Sequence, residues 1–324
     1  MIGRKNLTTV TEFIILGFPE FPDLQIPLFL LFLLIYLIIL MGNLTIIALT
    51  CLGPRLHTPM YFFLCNLSFL DISSTSVTFP KLLDILLRKK QRISISGCFA
   101  QLYLFVALAA EEFFLLTVMA YDRYVAICHP LHYRMIINKR LCVLMATGSW
   151  ILGFLYPVTH TVLFSLLSFC ESNEINHFFC DYSALLKLSC SSASTIEIVT
   201  YVVAVFIAGP CFISTLVSYV YIISTILTIH SREGRRKAFS TCSSHLTVVI
   251  LYYGTLMCLY MKPASMQSLD QNKLFSLLNN VLIPLLNPLI YSLNNKAVKA
   301  ALRKVLTRKP VLTDTQRRRS SQKQ

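Results

Sequence analysis

MAYDRYVAIC, Met119 to Cys128, joins a long apolar run to a charged pair, Asp122 and Arg123. The run before it, Cys98 to Ala120, carries only two charged residues, Glu111 and Glu112, and is long enough to span a bilayer. Arg123 therefore falls where a spanning helix leaves lipid, with Asp122 as its expected partner in a resting state. Taken alone, such a pair at a helix end is most often a surface ion pair. The rest of the chain decides otherwise.

Of the 324 residues, 55% are apolar and 14% charged, which is not the composition of a soluble domain. Seven apolar segments recur at short intervals: Ile26–Thr50, Met60–Phe79, Cys98–Ile127, Leu141–Leu163, Glu197–Ile229, Ala238–Met261 and Leu274–Leu293. The expected fold is an all-α membrane protein, a seven-transmembrane helix bundle. Residues 1–25 form an extracellular N-terminal segment, 26–293 the bundle, 294–307 an amphipathic helix and 308–324 a disordered cytoplasmic tail. No cleavable signal is evident, so the first span serves as its own anchor.

The net charge of +14 could suggest nucleic acid, but Lys and Arg lie between apolar runs and in the tail, not as a patch on a folded face. Topology accounts for them better. With the N-terminus outside and the C-terminus in the cytoplasm of a multi-pass plasma-membrane protein, most of the 29 basic residues fall inside. Lys81, Arg88, Lys89, Lys90 and Arg92 run against that count. Asn6-Leu7-Thr8 is a glycosylation acceptor in the outer segment, and Cys98, Cys170, Cys180 and Cys190 all fall on the outer side. Four cysteines allow three pairings. Three of them sit in the long loop Phe164–Ile196, which disulfides would fold down as a lid. Lys296, Lys299, Arg303 and Lys304 line one face of the segment after span seven, with Ala297, Val298, Ala301 and Leu302 opposite, a pattern suited to the anionic inner leaflet.

Charged residues inside spans are functional candidates by default. Asp71 and Glu112, with Asn43 and Asn287 at matching depth, could gather oxygens around a small hard cation such as sodium; hydrogen-bonded, protonated acids are the bland alternative. Glu111 lies about 100° round the helix from Glu112 and is expected to face another part of the cavity. Pro288 lets span seven bend and frees a backbone carbonyl. Phe105, Val106 and Ala109 of span three, Val203 and Ile207 of span five, and Tyr253, Leu256 and Tyr260 of span six would line a largely apolar pocket for a small molecule. No catalytic constellation, phosphate loop or zinc spacing is present in the sequence, and no cofactor is expected beyond sodium as an allosteric ion.

The chain resembles the olfactory receptors, a branch of the rhodopsin-like G-protein-coupled receptors. The matching stretches are Gly42–Asn43, PMYFFLCNLSFLDI (Pro59–Ile72), MAYDRYVAICHPLHY (Met119–Tyr133), Ser218–Tyr219, KAFSTCSSHL (Lys237–Leu246) and PLLNPLIYSL (Pro284–Leu293). The long outer loop resembles that of the tetrapod-type, class II branch. The resemblance implies disulfides Cys98–Cys180 and Cys170–Cys190, and a sodium-type site at Asp71 and Glu112. It also implies that Asp122, Arg123 and Tyr124 face a G protein, with Tyr219, His245, Asn287, Pro288 and Tyr291 in the activation machinery. The implied ligand is a neutral, moderately apolar odorant, and the implied partner a stimulatory heterotrimeric G protein that raises cAMP. Glu111 departs from the family pattern, and is expected to perturb the cation site or reach the pocket. Two alternatives are a metabolite receptor of the same fold and a channel or transporter using Asp71 and Glu112. The channel would need a polar stripe through the bilayer, whereas the polar residues gather at one depth.

Overall fold

A computed structural model describes residues 11–88, 91–169, 172–190, 194–260, 269–293 and 296–307. The long helices are α1 (Gln25–Leu52), α2 (Pro59–Arg88), α3 (Ile95–Cys128), α5 (Lys139–Ser165), α7 (Ser194–Thr228) and α8 (Arg232–Tyr260). The seventh element is composite: α9 (Leu269–Leu277), a π-helical turn (Leu278–Leu282) and α10 (Ile283–Leu293). Short helices α4 (Tyr133–Ile136) and α6 (Tyr182–Leu188) lie in loops, and α11 (Lys296–Thr307) follows the bundle. Among the described residues six helices are long and apolar enough to cross a membrane, and α8 contributes a shorter apolar stretch, Cys242–Cys258. These elements form the seven-helix bundle.

Helix α3 is the axis, packing against α2, α5, α7 and α8. Its start is fixed by Ser94, whose Oγ accepts from the Gly97 N–H at 3.1 Å, and α5 is opened likewise by Asn138 accepting from Leu141 N–H at 2.9 Å. Helix α8 begins earlier than the apolar pattern indicates. Ser231 Oγ accepts from Gly234 N–H at 3.2 Å and Lys237 pairs with Glu233 at 2.7 Å, so local polar bonds carry the helix beyond its apolar part. Two of the basic residues that run against the charge count are balanced by acids. Arg88 lies 3.3 Å from Asp84, and Arg92 lies 3.5 Å from Glu12.

Where the bundle was expected to be purely helical, the disulfide end carries a small sheet. Strand β1 (Glu12–Ile15) is its centre, antiparallel to β2 (Gln91–Ser94) and parallel to β3 (Glu174–Ile175). The N-terminal segment is thus structured from Glu12 onward. The alternation in EFII turns Phe13 and Ile15 into a core with Ile85, Cys98, Ile175 and Cys180, while Glu12 stays outside. Burying Phe13 alone contributes about 1.5–3 kcal/mol. Gly17 ends this strap at φ 67°, with Ile85 Cγ2 2.6 Å from where a Cβ would stand, so any side chain there would be strained and would force Ile85 to shift.

Candidate functional site

A cavity of about 420 Å³ opens between α3, α5, α6, α7, α8 and α9 at the disulfide end. Its cover is the loop after α5. Cys98 of α3 is bonded to Cys180, with their Cα atoms 5.4 Å apart. Gln101 one turn on accepts from the Cys180 N–H at 3.1 Å and donates to Val77 O at 2.9 Å. Phe179 then lands on Phe105, ring centroids 4.7 Å apart. His177 in the same loop is wholly buried, and burial pushes its imidazole down to about 4 despite the Asp181 carboxylate nearby. The second implied disulfide, Cys170–Cys190, involves Cys170, which lies outside the described residues, as do the Asn6 acceptor and the tail.

Of the anticipated lining residues, Phe105, Val106, Ala109, Ile207, Tyr253 and Leu256 do line the cavity. Val203 does not. The lining face of α7 runs through Ala204, Ile207, Ala208 and Phe212, and Val203 lies about 140° round the helix from Ala208. The Tyr260 side chain lies outside the described residues. Sequence reasoning missed the polar members of the wall: His160, Asp181, Tyr182, Glu197 and Asn272. Of these, Asp181 carried a local signal, since it accepts from the Ser183 and Ala184 N–H groups and caps α6. Lower in the wall, Tyr253 Oη lies 3.4 Å from both Thr117 and Thr215, and Thr215 donates to Thr117 at 3.3 Å. That hydroxyl cluster ties the cavity wall to three helices.

Glu111 overturns its expectation. It faces neither the cavity nor the Asp71 cluster. It is fully buried against α5, where Ser149 Oγ donates to its Oε1 at 3.0 Å. Gly153 makes this approach possible: a Cβ there would stand 2.9–3.0 Å from Glu111 Cβ, Cα and N.

Deeper in the bundle, Asn287 Nδ2 donates to both oxygens of Asp71 at 3.0 and 3.1 Å. Glu112 is buried on α3, which packs against α2. Asn43 is committed otherwise than anticipated: its Nδ2 donates to Ile39 O and, at 3.2 Å, to Pro284 O. Pro284 O is the carbonyl that Pro288, four residues on, leaves without its helical donor. Gly42 lets the two helices close, since a Cβ there would stand 3.0 Å from the Pro288 ring. Glu112 Oε1, Asn43 Oδ1 and Asn287 Oδ1 are buried acceptors without a donor among the described residues.

At the other end of α3, Arg123 is buried and donates to the Asp122 carboxylate through both Nε and Nη2. Asp122 also accepts from Tyr133 Oη of α4 at 2.7 Å, and burial beside that carboxylate raises the Tyr133 phenol. A void of about 10 Å³ is lined by Asp122 and Arg123 together with Met60, Phe63, Met119, His245 and Tyr291. His245 shares a 2.5 Å hydrogen bond with Tyr219 Oη and stacks on its ring. Tyr124 points elsewhere, its Oη 3.1 Å from His129 Nε2 and its ring 5.9 Å from Tyr221.

A seven-helix bundle with a covered cavity at one end and a buried Asp–Arg pair at the other is the architecture of a rhodopsin-like receptor, a multi-pass membrane protein. The olfactory receptor family model matches residues 32–309. Curated relatives include mouse olfactory receptor 5AR1, 47% identical over 95% of this chain and 100% of its own length. Others are gorilla olfactory receptor 1G1, 48% identical over 93% and 96%, and human olfactory receptor 5F1, 48% identical over 94% and 98%. The chain belongs to the olfactory receptor family.

Proposed function

We propose that this chain is an odorant receptor of the plasma membrane, with the disulfide end outside and Arg123 facing the cytoplasm. A small, mostly apolar volatile enters the cavity and favours a state in which the Arg123 end of α8 moves outward. Arg123 then leaves Asp122, and a stimulatory G protein of the olfactory type docks between α3, α7 and α8 and raises cAMP. What carries this reading is the position of both sites on one helix: Phe105, Val106 and Ala109 line the cavity, and Arg123 closes the opposite end of α3. The Tyr253 hydroxyl cluster, touching α3, α7 and α8, is the natural relay, because a ligand that displaces Tyr253 loosens all three helices together.

Two further parts belong to the proposal. Asp71, Glu112 and the bare oxygen of Asn287 would hold a sodium ion in the resting state. The set fits, being rich in buried acceptors, and no ion pair among the described residues engages either carboxylate. No trio of His, Cys, Asp or Glu among the described residues is spaced for a metal, so the amide oxygen is needed. Helix α11 would rest its basic face on inner-leaflet lipid. The test is cAMP accumulation in cells expressing the chain with a stimulatory G protein, screened against a broad volatile panel. A concentration-dependent response lost in Arg123→Ala at equal surface expression is expected. Normal signalling from that variant would refute the role given to Arg123.

A further inference from the structure

Taking the cavity as the ligand site, we propose that it selects protonated amines, with Glu197 as counter-ion and His160 as a second acceptor. The lining contains two carboxylates, Asp181 and Glu197, and neither Lys nor Arg. Two cations adjoin lining residues in sequence and neither lines the cavity: Lys187 follows Leu186 and is exposed, and Lys273 follows Asn272 and is paired with Glu20 of the N-terminal segment at 3.0 Å. The cavity field is therefore negative.

The two acids differ in what they have left to offer. Asp181 accepts from the Ser183 N–H and hydroxyl and from the Ala184 N–H, all at Oδ1, so one of its two oxygens is committed to capping α6. Glu197, in the first turn of α7, makes no hydrogen bond or ion pair among the described residues and is only half-buried. A second observation comes from the facing wall. His160 is 6% exposed, and its Nε2 has no partner among the described residues. Its Nδ1 lies 3.4 Å from Tyr156 O, a carbonyl that can only accept. The ring proton therefore belongs on Nδ1, and Nε2 is left as a bare acceptor buried within the cavity wall.

These groups belong to one end of the cavity. Tyr182, whose hydroxyl donates to Thr200 at 2.8 Å one turn after Glu197 on α7, lines the same wall, and the Tyr156 ring lies 5.0 Å from His160. The end thus offers a carboxylate, a neutral imidazole acceptor and tyrosine faces, and no charged donor. A primary ammonium, with three N–H donors and a charge that aromatic faces attract, satisfies that set; an alcohol offers one donor and no charge. The alkyl part would extend along Phe105, Val106 and Leu256.

The test is a matched comparison in the cAMP assay: octylamine against octanol, and cyclohexylamine against cyclohexanol, on wild type and Glu197→Gln. Amines are expected to act at lower concentration than their alcohols on wild type. Glu197→Gln is expected to raise the amine EC50 roughly ten- to a hundredfold, the size of one charge-assisted hydrogen bond, while leaving the alcohols within about threefold. Thermal stabilisation of purified wild-type receptor by octylamine but not octanol gives a second readout, independent of how the variant folds. Activation by alcohols but not amines, or an amine EC50 unmoved in Glu197→Gln, would overturn this inference and leave the odorant reading standing. Silence towards every volatile, with no thermal shift, would remove both.

Discussion

Helix α5 contains two glycines whose surroundings make opposite demands, and substituting each by alanine separates close helix packing from helix propensity. At Gly153 a Cβ would meet Glu111 Cβ at 2.9 Å and the Glu111 Cα and N at 3.0 Å. Two of those three atoms are backbone, so no side-chain rotation relieves the clash. Restoring ordinary contact at about 3.5–4.0 Å requires α3 and α5 to part by roughly half an ångström or more. That movement also stretches the 3.0 Å bond from Ser149 to Glu111, whose other oxygen already lacks a partner. The expected cost is about 1–3 kcal/mol, the usual range for overpacking. Gly148, one and a half turns earlier, has nothing within 4 Å of its would-be Cβ. Gly148→Ala should therefore gain about 0.5–1 kcal/mol from the removed glycine entropy. Thermal unfolding of the purified receptor, followed by Trp150 fluorescence, should show Gly153→Ala lowered by about 2–6 °C and Gly148→Ala unchanged or raised. Equal shifts in the two variants, or a Gly153→Ala receptor as stable as wild type, would refute the close-packing account of α3 and α5.

Two further outcomes follow from the loops. His177 is held neutral, its imidazole lowered by burial from 6.5 to about 4. The unfolded loop binds the extra proton first, so this contribution to stability is complete above about pH 6.5 and is lost as pH falls towards 4. The loss amounts to about 3 kcal/mol at most. Unfolding temperatures measured across that window should fall steeply in wild type and less in His177→Phe; parallel curves would contradict it. Tyr133→Phe removes the 2.7 Å bond to Asp122 and loosens the partner of Arg123. A weakening of about 1 kcal/mol should raise basal cAMP up to about fivefold at equal expression, and an unchanged or lower basal level would count against it.

The seven spans were legible because the bilayer imposes a length and composition that single residues cannot hide. The Asp122–Arg123 pair was legible for the same reason, as charge at the end of an apolar run. Helix rotation was harder to read. A span apolar on every side carries no polar stripe to mark its inner face, so Glu111 was assigned towards the cavity when it faces α5, and Val203 was placed on the wrong edge of α7. The partner that decides the first case is a glycine, Gly153, whose meaning lies wholly in what stands opposite it. Strand β1 escaped notice because four residues give almost no periodicity, and its partners lie far along the chain. Glu197 and His160 were passed over because each is an isolated polar residue near a helix end, and only the cavity brings them to one wall.

The central position of β1 also sets a timetable for biosynthesis. Its partner Asn173 donates to Glu12 O across 161 positions of chain. At about 5–20 residues per second, the first strand made must wait roughly 8–32 s for that partner to emerge. The four long helices α1, α2, α3 and α5, and the cysteine that anchors α3, are synthesised in the meantime. Completion of the sheet therefore reports that the first half of the receptor has been threaded in the correct order, and until then Phe13 and Ile15 are exposed apolar side chains that a chaperone could recognise.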